Sequence, residues 1–319
     1  MRKYLDSNVI YKTKGITKEE WLLKRKEGIG GSDVSSILGI SPYKSAVSVY
    51  MDKVSEEVET YSLDNYSNYK MELGNKLEDF VAKEFTLKTN KKVRNVNGIL
   101  KNEKYPYSIA NIDKAVVGER AFLECVVTNS FAKKKYKNEV PSNIKSQCYH
   151  YMAITGATHC YVAILVGNED IIIHKLDRDE NAIDEIMKIE KEFWETYVLG
   201  NNIPFPDGSE DYSKVISGLY ENSIDEVLVI FEKQEILNKY DEVKSKIKEL
   251  DKEKKSMEQF FQSQMGNYEV AFIGDRKLTW KKQTRTIFDT KRFKRIIQSF
   301  IRIMQKKVLL EFLRYKGDF

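Results

Sequence analysis

The period of the apolar positions changes several times along the chain, and each change marks an element. Residues 1–53 read as short helices around a glycine turn. Within them Thr17-Lys18-Glu19-Glu20 has the spacing of a capping box, with Trp21 and Leu22 as the anchors it would bury. The polar stretch 55–69 predicts a loop. From 71 to 85 the spacing of Leu73, Leu77, Phe80, Val81 and Phe85 predicts a helix with one apolar face. Two strand-like runs, 105–117 and 121–128, flank Gly118-Glu119-Arg120, a hairpin turn. A helix over 142–155 follows, capped by Gly156, then a strand pair over 160–166 and 170–176, and an amphipathic helix over 181–199. This order predicts an α+β fold with a mixed sheet rather than a regular βαβ array.

Beyond residue 225 the pattern lengthens. Ile236, Tyr240, Val243, Ile247, Leu250, Met257 and Phe261 keep alternating spacings of four and three, interrupted at Lys254. They predict a long helix that either packs onto its own core or forms a helical hairpin or dimer contact. Residues 270–273 and 278–280 around Gly274-Asp275 predict a hairpin. From Lys291 onward Phe293, Ile296, Ile297, Phe300, Met304 and Val308 predict an amphipathic helix with a basic outer face. The division expected is a core over 1–210 and a helix, hairpin and basic-helix extension over 211–319.

Composition narrows the chemistry. The 319 residues are 41% hydrophobic, enough for a substantial core, and no apolar run approaches a membrane span. The start, Met1-Arg2-Lys3-Tyr4-Leu5-Asp6, lacks a signal-peptide apolar region, so a cytoplasmic protein is expected. Three cysteines (Cys125, Cys148, Cys160) and three histidines (His150, His159, His174) show no zinc-ligand spacing. Any bound metal would therefore rest on carboxylates, which suits magnesium or manganese. The net charge is +5, but Arg276 to Lys316 holds fourteen Lys and Arg against Asp289 and Glu311. A basic tail on an acidic body points to a polyanionic partner, or else to a solvated lysine-rich helix face.

Three carboxylates sit on separate predicted elements: Glu78 on the helix, Asp113 at the end of one strand, Glu124 on its hairpin partner. Together they could hold a hard divalent cation, or each is an ordinary solvated carboxylate at an element edge. Glu124 lies inside the apolar run Phe122-Leu123-Glu124-Cys125-Val126-Val127, on one strand face with residues 122, 126 and 128. An acid embedded there is costly unless it is paired or metal-bound. Gln147 and Tyr151, one helical turn apart, could hydrogen-bond a phosphate or a metal ligand.

Five segments in register resemble the YqaJ-type viral recombinases and the lambda-exonuclease-like nucleases. They are Arg25 with Gly30-Gly31-Ser32-Asp33 and Leu38-Gly39-Ile40-Ser41-Pro42-Tyr43; Gly74-Asn75-Lys76-Leu77-Glu78; Asn111-Ile112-Asp113; Leu123-Glu124; and Gln147 to Tyr151-Met152. The resemblance spans residues 20–200, and Thr279-Trp280 to Phe288-Asp289 is similar to the extension many relatives carry. It implies a restriction-endonuclease-like core and magnesium- or manganese-dependent 5′→3′ degradation of double-stranded DNA from an end. It implies Glu78, Asp113 and Glu124 as metal ligands and Asp113, Glu124, Gln147 and Tyr151 as catalytic residues. Arg25 and Ser32 would hold the 5′-phosphate. A phage or prophage role beside a single-strand annealing protein, in a homo-oligomer, would follow.

One departure matters. The family pattern is E-x-K, with the lysine positioning or activating water, and Val126 stands at that place. Three alternatives remain open. Lys114, or one of Lys133, Lys134 and Lys135, reaches the site; the metal alone supports slow cleavage; or the chain is a pseudonuclease that binds DNA or protein in phage–host conflict. A purely structural protein built around the long helix leaves the carboxylates and Arg25 unexplained.

Overall fold

A computed structural model describes residues 2–55, 65–222, 224–281 and 289–298. In chain order the elements are β1 (Lys3–Tyr4), β2 (Ser7–Lys12), α1 (Lys18–Arg25), α2 (Gly31–Ile37), α3 (Ala46–Val54), α4 (Asn65–Thr89), β3 (Val93–Arg94), β4 (Gly98–Lys101), β5 (Lys114–Val116) and β6 (Ala121–Thr128). There follow α5 (Lys133–Asn138), α6 (Ser142–Thr155), β7 (His159–Val166), β8 (Asp170–Asp177), α7 (Glu180–Phe193), α8 (Glu210–Leu219), α9 (Gln234–Met265), β9 (Val270–Ile273) and β10 (Arg276–Thr279). The chain divides into two compact units, residues 1–224 and 225–319.

The centre of the first unit is a five-stranded sheet in the order β3-β5-β6-β7-β8. Only β6 and β7 run parallel, from Ala121 opposite His159 to Thr128 opposite Val166. A parallel pair needs a crossover, and α5 and α6 supply it. The mixed sheet expected from the pattern is therefore present. β7, His159-Cys160-Tyr161-Val162-Ala163-Ile164-Leu165-Val166, is apolar at nearly every position because both its faces are covered. On one face Phe122, Val162 and Ile164 pack in a cluster with Cys148, Tyr151 and Met152 of α6, and with α2, α3 and α7. On the other face Ala121, Leu123, Ala163 and Leu165 pack with Val81, Ala82 and Phe85 of α4. Helices thus lie on both faces of the sheet. The apolar face of α4 is narrower than its sequence suggested: Leu77 is half-buried, while Leu73 and Phe80 are exposed.

A second, three-stranded sheet, β1-β2-β4, takes β1 and β2 from the segment where short helices were expected. β2 is a six-residue strand with Ser7 and Val9 buried, and its pairing with β4 carries a bulge between Val9 and Tyr11. The run 105–117 forms a strand only at Lys114–Val116; before it the backbone crosses Ile29 and Leu100 through single bridges. Those bridges carry the chain from one sheet to the other, a path that local propensity does not encode.

α8 packs in the first unit although the expected boundary lay at 210. Asp211 accepts hydrogen bonds from the Ser45 amide and from the Ser45 and Ser48 hydroxyls at 2.6–2.8 Å. Tyr212 and Val215 rest on the first apolar cluster. In the second unit, α9 and the β9–β10 hairpin occur as the pattern predicts, with Gly274 at φ +57° in the turn. Residues 290–298 are helical; Phe300, Met304 and Val308 lie outside the described residues, as do 282–288 of the basic segment. No described helix is long and apolar enough to cross a membrane.

Candidate active site

The register of β5 against β6 pairs Lys114 with Leu123 and Ala115 with Phe122. One step further, Asp113 comes level with Glu124, so two acids eleven positions apart become cross-strand neighbours. Ala115, Phe122 and Val126 all belong to the α6-side cluster. By the two-residue alternation, Asp113 and Glu124 look toward that side. Lys114 looks the other way, toward α4, where its ammonium pairs with Glu78 and with Asp79 at 2.8 Å.

Glu124 is 7% exposed. Its Oε1 accepts a 2.6 Å hydrogen bond from the Gln147 amide, which also donates to the Tyr151 hydroxyl at 3.3 Å. Its Oε2 is buried with no hydrogen-bond partner. Asp113 Oδ2 accepts the Cys125 amide at 2.7 Å, fixing it to the neighbouring strand. Burial, and then the charge of Glu78, pushes the Asp113 carboxyl up to about 7 against the pull of the Cys125 amide and Lys114. Burial, and then the charge of Asp113, raises Glu124 well above the usual carboxylate range. Two acids facing each other in an apolar wall repel and cost desolvation together.

Asp113 lines a cleft of about 670 Å³ together with Arg25, Ser32, Glu78, Lys114 and Tyr151, and Glu124 lies buried beside it. Arg25 leaves α1 at its last turn, lies 4.8 Å over the Trp21 ring and donates to Ser32 Oγ at 2.8 Å. The capping box predicted at Thr17 and Glu20 starts α1. Trp21 and Leu22 are only half-buried, because Trp21 lines the cleft rather than anchoring the core.

The Gly30-Gly31 pair sets the close approach of rim and floor. A Cβ on Gly31 would lie 2.5 Å from the Tyr151 ring, so only glycine lets α2 seat against α6. Asp33 caps α2 by accepting the Gly30 amide at 2.9 Å. It is held from below by Lys53 of α3, whose ammonium is buried 2.9 Å from Asp33 Oδ2. Burial alone would raise Asp33, but Lys53 and then Arg25 hold it well below the usual carboxylate range. Sequence reasoning missed Lys53. The capping pattern of Gly30 and Asp33 signalled the acid, but nothing in α3 signalled its partner.

A second missed group stands behind the floor. His150 of α6 is fully buried, with Nδ1 2.7 Å from Glu190 Oε1 and Nε2 2.9 Å from the Ile109 carbonyl. The Ile109 carbonyl accepts from Nε2, and the Glu190 carboxyl lies against Nδ1. Burial would lower its pKa, but the Glu190 charge and hydrogen bond raise it. Glu190 also accepts from Ser108 Oγ at 2.6 Å, tying α7 to the strand crossing that leads into Asp113.

The expected site residues therefore separate into two groups. Glu124, Gln147 and Tyr151 are joined by hydrogen bonds with Asp113 level with Glu124 on the next strand, and Arg25 and Ser32 are joined at the rim of the cleft that Asp113 and Tyr151 line. Glu78 lines the cleft but is engaged by Lys114. Among the described residues no three His, Cys, Asp or Glu side chains are gathered to hold a metal, so Glu78 does not complete a shell with the other two. Val126 packs half-buried among apolar side chains. Lys133 is drawn to Glu169 at 3.1 Å, and none of Lys133, Lys134 and Lys135 lines the cleft.

The model of the YqaJ-like viral recombinase domain matches residues 20–158, a span that includes every cleft residue from Arg25 to Tyr151. The uncharacterized protein YqaJ of Bacillus subtilis (strain 168) is 34% identical over 294 residues, which are 90% of this chain and 91% of that protein. Among solved structures, the alkaline exonuclease LHK-Exo of Laribacter hongkongensis is similar at 17% identity and TM-score 0.48, over 63% of this chain and 99% of that one. The phage related exonuclease of Haemophilus somnus 129PT is similar at 14% identity and TM-score 0.39, over 55% and 96% respectively. With identity of that extent carried along almost the whole of both sequences, this chain belongs to the YqaJ-like viral recombinase family.

Proposed function

We propose that this chain is a divalent-metal-dependent nuclease that removes nucleotides from the 5′-phosphorylated ends of double-stranded DNA during phage-type recombination. The observation that carries this reading is the buried, cross-strand Asp113–Glu124 pair, in which Glu124 Oε2 is left without a partner and Asp113 lines a cleft shared with Arg25 and Ser32. A pair of this kind, raised in pKa by burial, fits a magnesium or manganese ion better than it fits apolar surroundings. Such an ion supplies Lewis-acid polarisation of a phosphoryl group and a nucleophilic water near neutral pH. The chain's own groups do the rest. Gln147 holds Glu124 Oε1 and leaves Oε2 without a protein partner. Arg25, kept planar against Trp21, offers two N–H groups to a terminal phosphate, and the Ser32 hydroxyl adds a third donor. Glu78, which lines the same cleft paired with Lys114, would add a third carboxylate to a bound cation, and Lys114 is the lysine of the cleft that would offset charge on a bound phosphate.

Val126 supports a second reading. Its apolar setting offers no donor at the E-x-K lysine position, which suits a pseudonuclease that keeps DNA binding and lacks cleavage. One experiment separates the two: digestion of labelled, 5′-phosphorylated linear duplex with Mg²⁺ or Mn²⁺ by wild type, Asp113→Ala, Lys114→Met and Val126→Lys. Metal-dependent cleavage by wild type, lost in Asp113→Ala and in Lys114→Met, supports the nuclease with Lys114 in the lysine's place. An inert wild type with active Val126→Lys supports the second reading.

A further inference from the structure

Among the described residues α9 is the longest helix, 32 residues, and one stripe of it is apolar. Ile236, Tyr240, Val243, Ile247, Leu250, Met257 and Phe261 stand four and three apart, and each is between 37% and 67% exposed. No described residue covers this stripe. A helix of about 48 Å with an open seam of this length is unstable in water by itself and calls for a partner helix.

The charges flanking the stripe identify the partner. In heptad terms Tyr240, Ile247, Lys254 and Phe261 are a positions, and Ile236, Val243, Leu250 and Met257 are d positions. The g positions are Lys239, Lys246, Glu253 and Phe260, and the e positions are Leu237, Lys244, Asp251 and Glu258. The flanks are therefore basic in the first half of the helix and acidic in the second.

Consider two copies side by side. In a parallel pair, g contacts the next e of the partner: Lys239 meets Lys244 and Glu253 meets Glu258, both repulsive, and only Lys246 with Asp251 attracts. In an antiparallel pair, a lies level with d, g with g and e with e. One register then places Tyr240 against Met257, Ile247 against Leu250, Lys254 against Val243 and Phe261 against Ile236, using all eight seam positions of each helix. In that same register Lys246 meets Glu253 and Lys244 meets Asp251, each twice by symmetry. Lys239 and Glu258 face Phe260 and Leu237, so no like charges meet. Lys254, the one polar seam residue, leans 3.7 Å toward Asp251 on its own helix and lays its carbon stem on the seam. A single polar residue there sets register and limits the assembly to two strands.

We propose that α9 is a homotypic interface, two copies of this chain pairing through α9 as an antiparallel two-stranded coiled coil in that register. The test uses the full chain. Sedimentation equilibrium of wild type should show reversible association into even-numbered assemblies. Lys244→Glu with Lys246→Glu, and separately Asp251→Lys with Glu253→Lys, should each weaken it by about tenfold or more, because four attractive pairs become repulsive. An equimolar mixture of the two variants should restore it. Oxidising a mixture of the Tyr240→Cys and Met257→Cys proteins should join position 240 to position 257, whereas a parallel pair joins each to itself. Circular dichroism checks that every variant is folded. A monomeric wild type at tens of micromolar, association indifferent to charge reversal, or self-joining of the single-cysteine proteins would each overturn the proposal.

Discussion

The rim and the floor of the cleft both bury charge, and they do so in opposite ways. At the rim, Asp33 is answered by Lys53, Arg25 and the Gly30 amide, and its carboxyl is held low. At the floor, burial first and neighbouring like charge second (Glu78 on Asp113, Asp113 on Glu124) hold both Asp113 and Glu124 high. The rim is complete as folded, and its charges serve architecture by fixing the turn that presents Arg25 and Ser32. The floor has a buried oxygen with no partner, the mark of a place built for something the polypeptide does not itself supply. Removing a charge should therefore harm the fold at the rim and harm only function at the floor.

The largest expected effect is on the floor. Glu124→Gln should cut metal-dependent cleavage by about a thousandfold, a loss typical when a group stabilising the transition state is removed. It should leave the thermal midpoint in EDTA unchanged or higher, since a repelling buried carboxylate is gone. A midpoint several degrees lower, read by circular dichroism, would break the contrast. At the rim Lys53→Met should destabilise by about 3 kcal/mol, because Asp33 would keep its charge without its buried partner. Urea denaturation reads this, and a shift under about 1 kcal/mol would place Lys53 among ordinary surface pairs.

The third expectation is a pH dependence of the metal-free protein. The Asp113 carboxyl titrates near 7 when folded and near its ordinary 3.8 when unfolded. Between those values the unfolded chain has lost a proton that the folded chain keeps, so stability falls as pH rises from about 4 to about 7. Asp113→Asn should flatten melting midpoints across that window, and an unchanged slope would count against the buried pair.

The smallest effect concerns His150. Its folded pKa lies above the ordinary 6.5, so its contribution is complete below about 6.5 and declines as pH rises through the folded value. Glu190→Gln should remove that decline, visible in the same melts above pH 6.5.

Much of this molecule is written locally. The helix over 142–155 with its Gly156 cap, the strand pairs, α9 and its hairpin follow from periods and turn residues that neighbouring side chains impose on one another. The candidate residues of the cleft were legible for a related reason: an acid inside an apolar strand, or glycines before an N-terminal cap, is conspicuous against its own surroundings. What local pattern could not reach is pairing at a distance. β2 and β4 are strands because they bond to each other across more than eighty residues, not because either is strongly β-patterned. Lys53 meets Asp33, and His150 meets Glu190, only after helices far apart in sequence have packed. Glu78 likewise looked like a third metal ligand from its helix position, and the tertiary fold set Lys114 in front of it. Sequence alone determined which residues were chemically unusual, since that depends on side-chain type and near neighbours. The tertiary structure alone decided which of them are neutralised, because a buried charge is answered by whatever group the packing brings within about 3 Å, wherever it lies in the chain.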